Sequence, residues 1–393
     1  MPALPTTDSN PLLVAAIAAQ IAQSPQQRIS FAEFMDRVLY HPQHGYYATN
    51  QVNIGAQGDF FTSPHLGSDF GELLAVQFAQ MWELLDRPQP FTLLEMGAGQ
   101  GLLVQDMIRY LHRHEHDCFE AIDYLIIERS PALISEQQRR LAPLMRSWQP
   151  RWSTWEEVPS ESIVGCCFSN ELVDAFPVHQ IIVRDGQLQE IYVTWAENQF
   201  REEIGELSTP KLSAYFDLVG IDLTSYPDGY RTEVNLAALD WLQTVSDRLR
   251  RGYLLTIDYG YPADRYYAPF RREGTLQCYY QHQHHSDPYI LVGRQDLTAH
   301  VDFTALQQQG EKCGLRSIGF TQQGLFLMAL GLGDRINALS DPTATPSIAE
   351  LLHRREVLHS LINPMGLGNF GVLVQSKGLS AEQQERSLRG LTY

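Results

Sequence analysis

The sequence predicts an α/β fold: a Rossmann-like, mostly parallel sheet with an N-terminal helical region and inserted capping segments. Three observations carry that expectation. FTLLEMGAGQG, Phe91 to Gly101, is a strand-like run that breaks into glycines at every second position, Gly97, Gly99 and Gly101, and then meets helical spacing in Leu102, Leu103, Met107, Ile108 and Leu111. DYLIIERS repeats the pattern one unit later, with Tyr124 to Ile127 running into Glu128. The strand–helix alternation lapses between Val178 and Arg231 and again between residues 261 and 300, resuming each time, as insertions into one sheet would make it do.

Taken in order, residues 1–10 read as frayed and Pro11 to Gln23 as an amphipathic helix. Ser30 caps a second helix with Glu33 as its capping-box partner, and Phe31, Phe34, Met35, Val38 and Leu39 form the apolar face. HPQHGYYATN and GAQGDFFTSP are glycine-rich, aromatic loops that match no regular element, which favours a functional role. A helix from about Gly67 to Leu85 presents Phe70, Leu73, Leu74, Phe78, Met81 and Trp82 at three- and four-residue spacing, and Arg87, Pro88 and Pro90 end it.

Beyond the glycine turn come a helix at Pro131 to Leu144, a short edge near Arg151 and a buried strand from Ile163 to Phe168, with Ser169, Asn170, Glu171 and Asp174 leaving its C-terminal end. The first insertion opens with a hairpin turning on Asp185-Gly186 and is expected to cap the sheet. A helix near Asn235 to Leu249, a strand from Gly252 to Gly260, a loop-rich second insertion, a helix from Asp302 to Cys313, a strand from Leu315 to Phe320 and a helical region to Ser360 follow. Asn369 to Gly378 is the closing strand, expected to pair antiparallel at the sheet edge. The expected divisions are therefore 1–88 for the N-terminal helices and covering loops, 89–178, 232–260 and 301–393 for the sheet domain, and 179–231 and 261–300 for the insertions.

Composition narrows the function. Hydrophobic residues at 44% and charged residues at 19% describe a globular chain with ample core. A formal charge of −17 lacks the basic footprint of a nucleic-acid partner and suits a cationic substrate. The five cysteines form no CxxC pair and are odd in number, so neither a disulfide framework nor a metal site is expected, and a reducing, cytoplasmic setting fits. The first apolar stretch is too short to span a bilayer and lacks a preceding basic residue, so no membrane insertion is expected.

A strand, a glycine turn and a helix N-terminus form a nucleotide cradle, because glycines admit positive φ and close ligand approach while free amides face the ligand. The dinucleotide fingerprint asks for Gly or Ala where Leu102 stands. GxGxG preceded by Glu95 fits S-adenosyl-L-methionine better: in class I methyltransferases this acid hydrogen-bonds toward the methionine amino group. Glu128 is placed to hold the ribose hydroxyls, a task a carboxylate performs better than an amide. Ligands of open parallel sheets bind at the C-terminal strand ends, so the chemistry belongs near Glu171.

GDFFTSP at Gly58 to Pro64, FGE at Phe70 to Glu72, LLEMGAGQG, SNELVDAFPV at Ser169 to Val178, IDYG at Ile257 to Gly260, GTL at Gly274 to Leu276 and DLTAHVDFTAL at Asp296 to Leu306 occur in that order. From about Ile29 onward the chain resembles the MidA-like family of class I methyltransferases, whose mitochondrial member is a protein arginine methyltransferase assisting assembly of respiratory complex I. The resemblance implies that Glu95, Gly97, Gly99, Gly101 and Glu128 hold the cofactor, that Gly58, Asp59, Phe60 and Thr62 fold over it, and that Asn170, Glu171 and Asp174 face an arginine of a protein partner. A carboxylate bidentate to two guanidinium nitrogens would fix the plane of a poor nucleophile; Glu171 is the candidate and Asp174 the second. A homodimer is compatible with all of this. The family loop usually reads TSPE, where this chain has His65, and its closing motif MGExF is replaced by MGLGNFGVL from Met365. Two other functions remain open at this stage: a methyltransferase acting on a small molecule, and a non-catalytic assembly factor that retains the fold.

Overall fold

A computed structural model describes residues 8–49, 62–145, 148–281, 283–339 and 348–392. They fall into two compact units, one drawn from Met1–Phe60, Val173–Leu242 and Gly260–Gln309, the other from Phe61–Leu172, Gln243–Tyr259 and Gly310–Tyr393.

The second unit is built on a seven-stranded sheet: β1 Phe91–Met96, β2 Ile122–Ile127, β3 Arg151–Ser153, β4 Ile163–Asn170, β5 Leu249–Asp258, β6 Arg316–Gln322 and β7 Gly371–Lys377. Their spatial order is β6-β7-β5-β4-β1-β2-β3. The pairs from β3 through β5 are parallel, and β7 runs antiparallel to both β5 and β6. This is the Rossmann-like sheet expected. The closing strand, however, is one place in from the edge, and β6 is the edge. The burial explains it: Gly371 to Ser376 are all buried, so β7 needs partners on both sides, while β6 is mostly half-exposed.

Every residue of β1 is buried. The helix Asp69–Leu84 buries Phe70, Leu73, Leu74, Phe78, Met81 and Trp82, and joins Leu103, Val104, Met107 and Ile108 of the helix Leu102–His114 in one core. The two helices close up at Gly71, where a Cβ would meet the Asp106 Cβ at 2.9 Å. The extra length between the glycine turn and Glu128 is a further helix, His116–Ala121.

In the first unit, the helix Pro11–Gln23 buries Leu13, Ile17 and Ile21, and its N-terminus is capped by the Asn10 side chain. Ser30 and Glu33 form the capping box of the helix Phe31–Tyr40. The hairpin pairs His179–Arg184 with Gln187–Ala196, and its turn residues Asp185 and Gly186 sit at φ 50 and 69.

Two expectations about organisation change. The N-terminal segment is not purely helical: Arg28–Ser30 pairs with Gln187–Ala196, so it and the first insertion share one five-stranded sheet, completed by Gln199–Gly205 and Arg231–Val234. Consequently the division expected at residue 88 falls near 60, because the helix after it buries its apolar face in the core of the large sheet. The loop-rich second insertion also carries a three-stranded sheet of Gln277–Tyr280, Gln283–His285 and Asp296–Thr298.

Candidate functional site

The glycine turn joins β1 to the helix Leu102–His114. Gly97, Gly99 and Gly101 have φ of 71, 52 and 77, a left-handed conformation that costs other residues roughly 1–2 kcal/mol each. The turn is closed by Gly101 N donating to Ala98 O at 2.8 Å and tied to β2 by Gly97 N donating to Ile127 O at 3.1 Å. A Cβ at Gly97 would press on Leu172 Cδ1 at 2.8 Å, whereas one at Gly99 would meet nothing within 4 Å. The space before Gly99 is therefore open.

Register places the neighbouring strand ends beside this turn. Met96 is opposite Ile127 of β2 and Ser169 of β4, and Ile257 of β5 is opposite Asn170. The residues that follow, Gly97, Glu128, Glu171 and Asp258, leave one edge of the sheet together. Glu128 accepts from Ser130 N at 2.9 Å and from Gln137 Nε2 at 3.3 Å. Burial raises its pKa and these hydrogen bonds oppose that rise. Two residues back, Glu95 is 3% exposed and accepts from Tyr124 Oη at 2.6 Å. Burial pushes its pKa up to about 7, against the Tyr124 hydrogen bond and with the Glu128 charge adding.

Glu171 stands at φ 51, an outlier for a residue with a side chain. Its amide donates to Ile257 O at 2.9 Å, and its Oε1 accepts from Ser63 N at 3.2 Å and Asn170 Nδ2 at 3.1 Å. Asp174 belongs to the first unit, in the turn Val173–Ala175, where its carbonyl accepts from Ala299 N at 2.9 Å. Thr62 is buried, with its hydroxyl 2.6 Å from His65 Nδ1. Gly58, Asp59 and Phe60 lie outside the described residues.

Three further residues, to which the sequence assigns no binding role, contribute here. Gln137 is fully buried; its Nε2 donates to Gly99 O at 2.8 Å as well as to Glu128, and its Oε1 accepts from Trp152 Nε1 at 2.8 Å. Nothing in SEQQRR marks it, because only the fold brings that helix to the turn. Asp258 accepts from Leu172 N at 3.2 Å and Tyr259 N at 2.9 Å, which gives IDYG a physical reason. His65, in the place of the family's acid, has its Nε2 3.4 Å from Gln100 Oε1 in the glycine turn, and burial lowers its pKa.

These residues fit a nucleotide-bearing cofactor. The turn is open at Gly99, and two buried acceptor atoms at the end of β4, Ser169 Oγ and Asn170 Oδ1, have no hydrogen-bond partner among the described residues. Among the described residues no group of three His, Cys, Asp or Glu side chains is arranged to hold a metal ion, and no helix is long and apolar enough to cross a membrane.

Comparison with known proteins agrees with this chemistry. Residues 73–321 match the model of a family of S-adenosyl-L-methionine-dependent methyltransferases. The chain is 29% identical to the Drosophila melanogaster homolog of the mitochondrial protein arginine methyltransferase NDUFAF7, over 91% of this chain and 84% of that protein. It is 28% identical to the Homo sapiens mitochondrial protein arginine methyltransferase NDUFAF7, over 92% of this chain and 83% of that one. A Burkholderia thailandensis protein solved with S-adenosyl-homocysteine bound superposes with a TM-score of 0.84 at 29% identity, covering 99% of this chain and 97% of its own.

Proposed function

The chain belongs to this S-adenosyl-L-methionine-dependent methyltransferase family, and from that premise we propose that its acceptor is an arginine of a protein partner. The cofactor, when bound, supplies a methyl group made electrophilic by its sulfonium. The tasks left to the protein are to hold, orient and desolvate. The glycine turn and Glu128 bind the adenosyl end, and Glu95 receives the amino group of the methionine end. Positioning of this kind is worth roughly 7–11 kcal/mol.

A guanidinium is a poor nucleophile because its lone pairs are delocalised and its pKa exceeds 12. Glu171 answers this by taking two of its nitrogens, fixing the plane and leaving the third nitrogen to attack, while Asn170 steadies the carboxylate. The N–C bond forms as the S–C bond breaks, and the proton released from the methylated nitrogen passes to a carboxylate or to water. The observation that supports this role best is the backbone of Glu171, kept left-handed at the sheet's ligand-binding edge while Ser63 N and Asn170 Nδ2 both bond one carboxylate oxygen. Thr62 covers the cofactor.

The similarity of nine-tenths of the chain to proteins named arginine methyltransferases supports a protein substrate, and the family resemblance extends it to a subunit of a respiratory or NDH-1-type complex. Both curated relatives are named mitochondrial; five cysteines with no disulfide among the described residues support a reducing, cytoplasmic setting for this chain. The decisive experiment incubates cell extract with methyl-labelled S-adenosylmethionine and the purified protein. Label in arginine of a polypeptide is expected with wild type and not with Glu171→Gln. Label confined to small molecules refutes the protein acceptor.

A further inference from the structure

The first unit carries an acidic, tyrosine-walled cluster that neither the cofactor nor Glu171 uses. Strands Gln277–Tyr280 and Asp296–Thr298 pair antiparallel with Tyr279 opposite Asp296 and Gln277 opposite Thr298. Residues two apart on a strand share a face, so Asp296, Thr298 and Tyr279 project together. Asp296 is 2% exposed and accepts from Tyr47 Oη at 2.9 Å. The turn holding Asp174, 6% exposed, is bound to the end of the same strand through Ala299, and Tyr40 Oη donates to Ala175 O at 2.9 Å. Tyr40 and Tyr47 stack with ring centres 5.4 Å apart. Burial first, and then the charges of Asp296 and Asp174, raise the pKa of Tyr47; burial, Asp174 and Asp296 do the same to Tyr279. Both phenols therefore stay protonated beside two carboxylates.

An acidic cluster can be purely structural, and the same unit contains one for contrast. Glu233 is enclosed by Thr275 N at 2.8 Å, Thr275 Oγ1 at 2.9 Å and Tyr266 Oη at 3.3 Å on Oε2 and by Leu276 N at 3.3 Å on Oε1, so both its oxygens are engaged by the protein, which accounts for GTL. The Asp296 face differs. Thr298 Oγ1, on a residue 3% exposed, is buried there with no hydrogen-bond partner among the described residues. A buried hydroxyl left unsatisfied is destabilising. The walls, Tyr47 and Tyr279, are half-exposed over carboxylates that are buried. Buried acceptors under aromatic faces suit a flat, donor-rich cation, and a guanidinium brings five N–H donors and stacks on aromatic rings.

We propose that Asp296, Asp174 and Thr298, walled by Tyr47 and Tyr279, form a subsite carried by the first unit that takes a guanidinium of the acceptor protein. This rests on the reading of the acceptor as an arginine-bearing protein. Specificity for a basic substrate would then reside in the N-terminal and inserted segments rather than in the cofactor sheet.

The test is saturation-transfer NMR of the full chain titrated with ethylguanidinium. Saturable binding is expected for wild type, weakened about tenfold or more in both Asp296→Asn and Thr298→Val, with S-adenosyl-homocysteine affinity and thermal midpoint essentially unchanged. Asp296→Asn keeps volume and an acceptor for Tyr47, and Thr298→Val is isosteric, so neither should unfold the protein. Binding equal to wild type in either variant, or no saturable binding in wild type, overturns the subsite. The labelled-extract assay on wild type separates this failure from the broader one. Label in protein arginine together with unaltered ethylguanidinium binding in the variants removes the subsite alone, while label confined to small molecules overturns the protein acceptor and the subsite's occupant with it.

Discussion

Binding of S-adenosylmethionine should release a proton from Glu95. The carboxyl is buried, its only described hydrogen-bond donor is Tyr124, and its pKa is about 7 against an ordinary 4.5. At pH 7 about half of the cofactor-free molecules carry the proton. A cationic amino group arriving beside the carboxylate favours the charged form and returns its pKa toward the ordinary range. Returning the carboxyl from about 7 to 4.5 corresponds to at most roughly 3 kcal/mol of coupling. The sign follows from linkage: before binding, the raised acid pKa contributes stability at low pH that is lost as pH climbs from about 4.5 through about 7, and binding removes that loss. Calorimetry at pH 7 in two buffers of different ionisation enthalpy should report release of about half a proton. The ligand's own α-amino group, with a pKa of about 7.7–8.0, takes back about a tenth. Affinity should fall up to about tenfold per unit below pH 7 and level off between pH 7 and the amino group's own pKa of about 7.7–8.0, and Glu95→Gln should abolish the proton release and the fall below pH 7. A binding enthalpy independent of buffer in wild type would refute the placement of the amino group at Glu95.

Gly99→Val should fold with a loss of about 1–2 kcal/mol from its left-handed φ, yet lose cofactor affinity in calorimetry, because the added carbons fill the open space before the turn. Gly97→Ala should cost more stability than Gly99→Ala by thermal denaturation, since its Cβ meets Leu172 at 2.8 Å, and Leu172→Ala should recover part of the difference. Glu128→Ala removes charged hydrogen bonds worth roughly 1.5–3 kcal/mol and should weaken S-adenosyl-homocysteine binding about tenfold to a hundredfold in titrations. Glu171→Gln should bind the cofactor normally and lose methyl transfer; retained turnover would move the acceptor carboxylate elsewhere.

Local chemistry was readable in the sequence wherever a residue's role depends on its neighbours in the chain. The glycine turn, the Ser30–Glu33 capping box and the Asp185-Gly186 hairpin are short-range patterns, and the sheet they belong to follows from apolar runs alternating with helical spacing. What escaped was long-range. Gln137 reaches the turn only because its helix follows β2, and a glutamine on a helix carries no signal of burial. Arg28–Ser30 is too short to show period-two alternation, so its pairing with Gln187–Ala196 was hidden. The place of β7 was misjudged because the last strand in sequence is not the last in space. Asp296 stood inside a quoted motif without a role, since its partners, Tyr47 and Tyr279, come from distant segments.

The inward position of β7 bears on how the chain assembles. While the protein is being synthesised, β5 and β6 are both made before the strand that must lie between them, so each presents bare amides and carbonyls until Gly371–Lys377 leaves the ribosome. Such a gap is slow to close, because the joining contacts are far apart along the chain, and it invites pairing with other nascent chains meanwhile. Loss of the strand Gly371–Lys377 would thus split the cofactor sheet rather than merely trim it.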